Sequence, residues 1–129
     1  MNFKVFLFFA ALSMFSLHGT AHEGHDSATI KSLYGGIVKK SASAFFEIIQ
    51  EEGKIEIYVS DHNYKNIVTQ TLAVSAFADI KGKKIPLKLN LVSNKLLVVT
   101  DLKREKFFKL NVILKLAGKE ESVIFPLEN

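Results

Sequence analysis

The chain has 129 residues, of which 48% are hydrophobic, 23% charged and 11% aromatic, a composition typical of a packed globular protein of about one domain. It contains no cysteine, which excludes a disulfide framework, a thiolate metal site and a cysteine nucleophile. The net charge is +4, but sixteen of the seventeen basic residues are lysine and only Arg104 could form the bidentate contacts that suit phosphates and bases, so no nucleic acid is expected as a partner.

The N-terminus is typical of a secretory signal peptide. Lys4 provides a short basic start, and positions 5–17 form an uncharged, mainly apolar run of thirteen residues. A transmembrane helix needs about 20 residues, so this run is too short to be one. The small residues Gly19 and Ala21 predict cleavage after Ala21, which makes residues 1–21 the signal peptide. The alternative is an uncleaved N-terminal anchor, but no stop-transfer pattern follows the run.

We therefore expect an exported, periplasmic protein with no transmembrane segment after signal cleavage. The mature chain would begin at His22 and have 108 residues, a net charge of +3, and no cysteine, methionine or tryptophan. Residues 22–29 (HEGHDSAT) are polar and small and lack apolar periodicity, which predicts a short flexible arm. Residues 30–129 are expected to form a β-sandwich domain.

Beyond position 30, apolar residues alternate or occur in short blocks separated by Gly, Asn, Asp and Lys, which predicts an all-β domain. A helix over 107–116 is the alternative there, but Phe108 to Leu116 alternate with the two-residue period of a strand. About eight strands in this length favour a two-sheet sandwich or a small Greek-key barrel. The predicted strands are Gly36–Lys39, Phe45–Gln50, Lys54–Ser60, Leu72–Ile80, Ile85–Leu91, Lys95–Thr100, Phe107–Leu116 and Ser122–Leu127.

Turn residues support this division of the chain. Gly53, Gly82 and Gly118 each stand between two predicted strands, where a hairpin needs a positive φ angle. Pro86 and Pro126 fall inside predicted strands, and because proline lacks an N–H group both strands should lie at sheet edges.

Two further predicted strands have a clear two-residue period. Such alternation predicts that each buries one face and exposes the other to solvent. The alternating residues are Ile55, Ile57 and Val59 in one strand and Leu87, Leu89 and Leu91 in the other.

The predicted arm contains the residues best suited to bind a metal ion. Cleavage after Ala21 would give His22 a free α-amine, which can chelate a metal together with the imidazole and which loses its proton far more readily than an amide. His25 and Asp26 are close enough in sequence to bind the same ion. Amine and imidazole donors suit Cu(II) first, and alternatively Zn(II) or Ni(II). The alternative is a solvated linker without a ligand role.

His62 is the third histidine of the mature chain and directly follows the strand Lys54–Ser60. A turn there would place its imidazole at the end of the sheet, where it could complete the site of the arm. Asp61 could orient the imidazole ring or add an oxygen donor. The alternative is that Asp61 caps the turn through backbone N–H groups while His62 faces water.

The sequence contains no pattern that indicates an enzyme. In HEGH the second histidine comes one residue too early for the zincin motif, and nucleophile elbows, P-loops and dinucleotide fingerprints are absent. Two lysine-rich clusters remain. We interpret them as groups that keep strand edges soluble, with attraction to an anionic membrane surface or an acidic partner as the alternative. They comprise Lys81, Lys83, Lys84 and Lys88, and Lys103, Arg104, Lys106 and Lys109.

Several short motifs occur together between residues 22 and 65. They are HEGHDS at 22–27, YGGIV at 34–38, FEII at 46–49, GKIEIYV at 53–59 and DH at 61–62. This combination resembles small exported bacterial proteins that are often found with heavy-metal handling genes. In these relatives a histidine often stands at the position of Tyr34, so a site that uses that histidine would have one donor fewer here. A more distant likeness, of architecture alone, is to periplasmic copper-binding proteins of the copper-resistance type, which use an N-terminal histidine for Cu(II).

The leading hypothesis is an exported carrier or buffer of a divalent transition metal, with no enzymatic turnover and no organic cofactor. Its ligands would be His22, His25, Asp26 and His62, and its partner an envelope or efflux protein. The alternative is a metal-free cell-envelope interaction or accessory protein, in which the sheet edges and the lysine-rich face contact a partner.

Overall fold

The computed structural model describes residues 30–68 and 73–129, so the predicted signal peptide and arm lie outside the described residues. The described part is all-β, as predicted, and contains nine strands, a 3-10 turn at Leu102–Arg104 and no α-helix. Within these ranges no helix has the length and apolar character needed to cross a membrane. The strands are β1 (Ile37–Lys40), β2 (Phe45–Glu51), β3 (Lys54–Ser60), β4 (Ala73–Ile80), β5 (Lys83–Leu87), β6 (Asn90–Val92), β7 (Lys95–Val99), β8 (Phe107–Leu116) and β9 (Lys119–Glu128).

The strands form two antiparallel sheets. The first sheet has five strands in the order β1-β2-β3-β7-β6, and the second has four strands in the order β5-β4-β8-β9. In the first sheet Ile57 of β3 lies opposite Ile48 of β2 and Leu96 of β7. In the second sheet Val112 of β8 lies opposite Val123 of β9.

Both sheets bury apolar residues in a shared hydrophobic cluster, an arrangement consistent with a two-sheet sandwich. Every buried residue of this cluster lies between positions 44 and 127, so the chain from His22 onward contains the whole described core. Its largest fully buried side chains are Phe46, Phe125, Ile48, Ile55, Ile57, Leu110, Leu114, Val59, Val98 and Val112.

The predicted turns and edge strands are confirmed. The β2-β3, β4-β5 and β8-β9 pairs are hairpins. Lys81 and Gly82 both have positive φ angles, as do Ala117 and Gly118, which is the backbone geometry of a type I′ turn and matches the twist of the flanking strands. β5 and β9, which contain the two prolines, are both edge strands.

The prediction of one strand over Ile85–Leu91 is wrong. The chain crosses from β5 in the second sheet to β6 in the first sheet within this segment. Leu87 and Leu89 still pack against the core, but Leu91 is 56% exposed. The alternation of the leucines predicted one strand because a segment that passes between two sheets also turns apolar side chains toward the core, and this produces the same pattern.

The prediction that β3 exposes one face to solvent is also wrong. Ile55, Ile57 and Val59 face the core as expected, but Glu56 and Tyr58 on the opposite face are buried as well. By contrast, the alternation predicted for β8 is confirmed, since Phe108 to Leu114 are buried at every second position. The outer face of the first sheet is therefore covered at β3.

The described core makes a direct prediction for Ile57, which is fully buried. The Ile57→Asp substitution would place an unpaired carboxylate among apolar side chains and should lower the free energy of unfolding by at least about 3–5 kcal/mol or prevent folding. The matched control is Ile37→Asp in β1, where the side chain is 54% exposed, and it should cost about 1 kcal/mol or less. Urea unfolding followed by circular dichroism measures both, and equal costs at the two positions would contradict the described register.

Candidate functional site

His62 lies in a tight turn that follows β3. Asp61 closes this turn, because its Oδ1 accepts hydrogen bonds from the backbone N–H groups of Asn63 and Lys65, each at 2.9 Å. The backbone N–H of Asp61 also donates to the carbonyl of Lys65 at 2.9 Å. This is the capping role that the sequence analysis gave as the alternative for Asp61, and it leaves His62 at the tip of the turn.

The His62 side chain is exposed. Its Nε2 lies 3.4 Å from the carbonyl oxygen of Ser41, which is too long for a strong hydrogen bond. Its ring centroid lies 5.0 Å from that of Phe45, with the two planes at 44°. The imidazole thus rests against an aromatic side chain at one end of the first sheet, and the residue remains exposed to solvent.

Tyr64 connects the same turn to the start of the described chain. Its φ angle is +63°, a left-handed conformation that a bulky residue rarely adopts. This conformation is held by the hydrogen bonds of Asp61, and it directs the phenol oxygen of Tyr64 to accept a 3.2 Å bond from the backbone N–H of Lys31. The Tyr64 ring also stacks on Phe45 at 5.0 Å. The turn therefore holds the chain just after the predicted arm.

Residues 31–36, here named the strap, run across the outer face of the first sheet. The carboxylate of Glu47 in β2, only 5% exposed, fixes the strap. It accepts hydrogen bonds from Ser32 Oγ at 2.6 Å and from the backbone N–H groups of Leu33 at 2.9 Å, Tyr34 at 2.9 Å and Gly36 at 2.8 Å. Burial acts to raise the pKa of Glu47, but the bonds from the strap outweigh it and hold the pKa below its ordinary value.

Gly36 allows the strap to approach this closely. A Cβ atom at this position would collide with the carbonyl oxygen of Ile48 and lie 3.0 Å from Cγ of Glu47. Any larger residue would push the strap away from the strand that carries the carboxylate. The glycine of the YGGIV motif is thus required by the contact with the FEII motif.

An aromatic stack seals the strap onto β3. The ring of Tyr34 lies over that of Tyr58 at 3.8 Å and 16°. Tyr58 in turn donates a 3.2 Å hydrogen bond to Glu56, whose other oxygen accepts a 2.6 Å bond from Lys95. The bond from Lys95 lowers the pKa of Glu56, and the bond to Glu56 raises the pKa of Lys95. These contacts are the physical reason why both faces of β3 are buried.

The space between strap and sheet is almost filled. The enclosed space beside Tyr34, Glu47 and Tyr64 amounts to about 10 Å³, roughly the minimum for one water molecule. A small organic ligand does not fit there. What remains accessible at this end of the sheet is the imidazole of His62.

The predicted ligand residues are only partly described. His22, His25 and Asp26 lie outside the described residues, and His62 is the only histidine in the part of the chain that the structure describes. In the part of the chain that the structure describes, no three His, Asp or Glu side chains form a group suited to a metal ion. The turn that carries His62 does contact Lys31, two residues after the predicted arm, through Tyr64.

Sequence reasoning missed Glu47 and Tyr64. The position of Glu47 inside the apolar FFEII segment could have indicated its role, because a buried carboxylate between apolar neighbours in a strand needs hydrogen-bond donors. No comparable signal marked Tyr64, whose role depends on the backbone conformation of the turn.

The comparisons with protein-family models, with curated proteins and with solved structures found no match to this chain. Three of the motifs on which the sequence resemblance was based (YGGIV, FEII and GKIEIYV) meet in space, since Tyr34, Gly36, Glu47 and Tyr58 all belong to the contact between strap and sheet. This contact and the adjacent turn are the basis of the functional argument.

The Glu47 contact predicts a specific dependence of stability on pH. Glu47→Gln keeps the shape but loses the charge and one acceptor, so it should lower the free energy of unfolding at neutral pH by about 2–3 kcal/mol. Because folding lowers the pKa of Glu47, its stabilisation is complete above the pKa of the unfolded chain, about 4.3, and disappears as the pH falls through the folded value.

Urea unfolding of the parent and Glu47→Gln between neutral and acidic pH tests this prediction. The difference between the two should be largest at neutral pH and shrink in acid. Glu128→Gln at an exposed position of β9 is the control and should match the parent at every pH. A difference for Glu47→Gln that does not change with pH would show that the charge does not hold the strap.

Proposed function

We propose that the protein is an exported carrier or buffer of a divalent transition metal, with Cu(II) as the preferred cargo. In this proposal residues 1–21 are a signal peptide, the mature chain starts at His22 in the periplasm, and residues 30–129 are a β-sandwich. The ligands are the amine and imidazole of His22, His25, Asp26 and His62. Zn(II) and Ni(II) are the alternative cargoes. The single observation that carries the proposal is the turn of Asp61–Lys65, which presents His62 and also contacts Lys31, two residues after the arm.

The distances at this turn make a joint site geometrically feasible. The bond from Lys31 to Tyr64 is 3.2 Å, and ring contacts of 5.0 Å connect Tyr64 to Phe45 and Phe45 to His62. His25 precedes Lys31 by six residues, which can span up to about 20 Å. The arm is therefore long enough to bring His25 to His62. A tether of this length also keeps the local concentration of the arm near the turn high, in the millimolar range.

The donor chemistry of the mature chain favours Cu(II). It offers an amine, imidazoles and a carboxylate, which are ligands for Cu(II), Ni(II) and Zn(II), and the Irving–Williams order places Cu(II) first. The absence of methionine and cysteine after cleavage disfavours a Cu(I) site. Oδ1 of Asp61 closes the turn, so an oxygen donor from this neighbour of His62 would have to be its Oδ2.

The resemblance to exported proteins found with heavy-metal handling genes agrees with this proposal, and an efflux or envelope protein is the proposed recipient of the metal. Transfer would use no catalytic step. Acid would release the ion, since protons compete for the amine and for each imidazole. The alternative is a metal-free envelope interaction protein, in which the arm has no ligand role.

The proposal predicts one Cu(II) per chain beginning at His22, with proton release on binding and an affinity that rises with pH. An alanine added before His22 converts its amine into an amide and should weaken binding at least about tenfold, and His25→Ala should act in the same direction. His62→Ala should weaken binding less, because the arm retains its other donors. Asn63→Ala, at an exposed neighbour in the same turn, is the control and should leave the affinity unchanged.

Calorimetry in a buffer that does not bind copper measures these affinities. Mass spectrometry of the exported protein tests separately whether the chain begins at His22. Equal affinities in the parent, the extended chain, His25→Ala and His62→Ala would eliminate the metal site and leave the interaction protein as the better hypothesis.

A further inference from the structure

The outer face of the second sheet differs from that of the first, because none of the described residues forms a strap across it. In β8 the side chains that alternate with the buried core residues point outward, and Phe107 is 61% exposed there. In β9 Ile124 is 46% exposed. An exposed phenylalanine of this kind contributes nothing to the core.

Lysine side chains accompany the aromatic rings of this face. Nζ of Lys84 lies 5.2 Å from the ring centroid of Phe77, and Nζ of Lys106 lies 5.2 Å from that of Phe107. Lys109 follows two residues after Phe107 on the same face of β8. We name these five residues, together with the hairpin residue Lys81, the basic aromatic face.

The acidic groups near this face are fewer than the lysines. Asp79 lies opposite Lys109 and Lys84, and its Oδ1 accepts a 2.9 Å bond from the Gly82 N–H. Glu128 lies opposite Phe107, and Glu105 is in the preceding loop. Four exposed lysines of this face (Lys81, Lys84, Lys106 and Lys109) therefore stand against three carboxylates, so the local charge is positive.

A shallow depression of about 520 Å³ lies beside Phe107. Lys81 and Lys109 contribute cationic groups to its lining, Asp79 contributes one carboxylate, and Phe108, Pro126 and Leu127 contribute apolar groups. Cations beside an apolar surface match the chemistry of a lipid with an anionic headgroup and hydrocarbon below it.

We propose that the basic aromatic face docks on an anionic phospholipid surface, with Phe107 entering the headgroup region and the lysines contacting lipid phosphates. Edge protection accounts for Lys84 on the edge strand β5, but not for Lys109, which lies on β8 with a neighbouring strand on each side. Lysine acts as a point charge and needs no fixed bidentate partner, which suits a fluid layer of phosphates. The strap and His62 belong to the first sheet and stay accessible, so the docking does not depend on the metal proposal.

Cosedimentation with vesicles tests the proposal, using the chain from His22 with a chelator present. One set of vesicles is phosphatidylcholine alone, and the other contains about 30% phosphatidylglycerol to give a negative surface. The protein should sediment with the anionic vesicles and not with the neutral ones, and binding should weaken as salt rises from about 50 to 300 mM. Each lysine at the surface contributes about fivefold, so Lys106→Glu with Lys109→Glu should reduce binding at least about 25-fold. Phe107→Ala should reduce it several-fold.

Matched controls lie on the first sheet and its turns. Lys40→Glu with Lys65→Glu changes the net charge equally at two exposed lysines, and Val99→Ala removes a side chain that is 70% exposed. Both should bind like the parent, and so should His62→Ala. Urea unfolding confirms that every variant is folded. Absence of binding to anionic vesicles, equal binding to both vesicles, or an equal loss in the Lys40/Lys65 variant would overturn the proposal, and the first of these outcomes would favour an acidic protein partner.

Discussion

A buried carboxylate in the middle of a strand cannot remain ionised without hydrogen-bond donors. For Glu47 all of these donors come from one segment. Glu47 accepts four hydrogen bonds, all from residues 32–36. The ionised state of Glu47 and the position of the strap are therefore a single structural condition, since neither is favourable without the other. The second buried face of β3, the stack of Tyr34 on Tyr58 and the direction in which the chain leaves the sheet toward its N-terminus all depend on this condition.

The local features of the fold could be predicted because they depend on nearby residues. Gly53, Gly82 and Gly118 marked hairpins through the φ angles that such turns need, and the strict alternation in β8 identified a strand with one buried face. The crossing between β5 and β6 could not be predicted in this way. A two-residue apolar period indicates that side chains alternate in direction. It does not indicate the sheet in which the backbone forms its hydrogen bonds.

The candidate site could be predicted only in part. The Asp61-His62 pair indicated a capped turn with an outward imidazole, and this depends on hydrogen bonds within five residues. The strap could not be predicted, because three of the four donors to Glu47 are backbone N–H groups, which every residue except proline possesses. The role of Tyr64 could not be predicted for a related reason, since its contact with Lys31 joins residues 33 positions apart and depends on an unusual backbone conformation.

Among the described strands, β9 is at the edge of its sheet, with β8 on one side only. β9 is ten residues long, and an edge of this length is a template on which a strand of another molecule could add. Pro126 provides no N–H group for such an added strand, and the ammonium of Lys39 already donates to the carbonyl of Ile124. The Lys39 side chain thus occupies the carbonyl oxygen of Ile124, an acceptor that strand addition between molecules would need. The longest edge strand of the described residues therefore resists the strand addition between copies that would lead to fibrils.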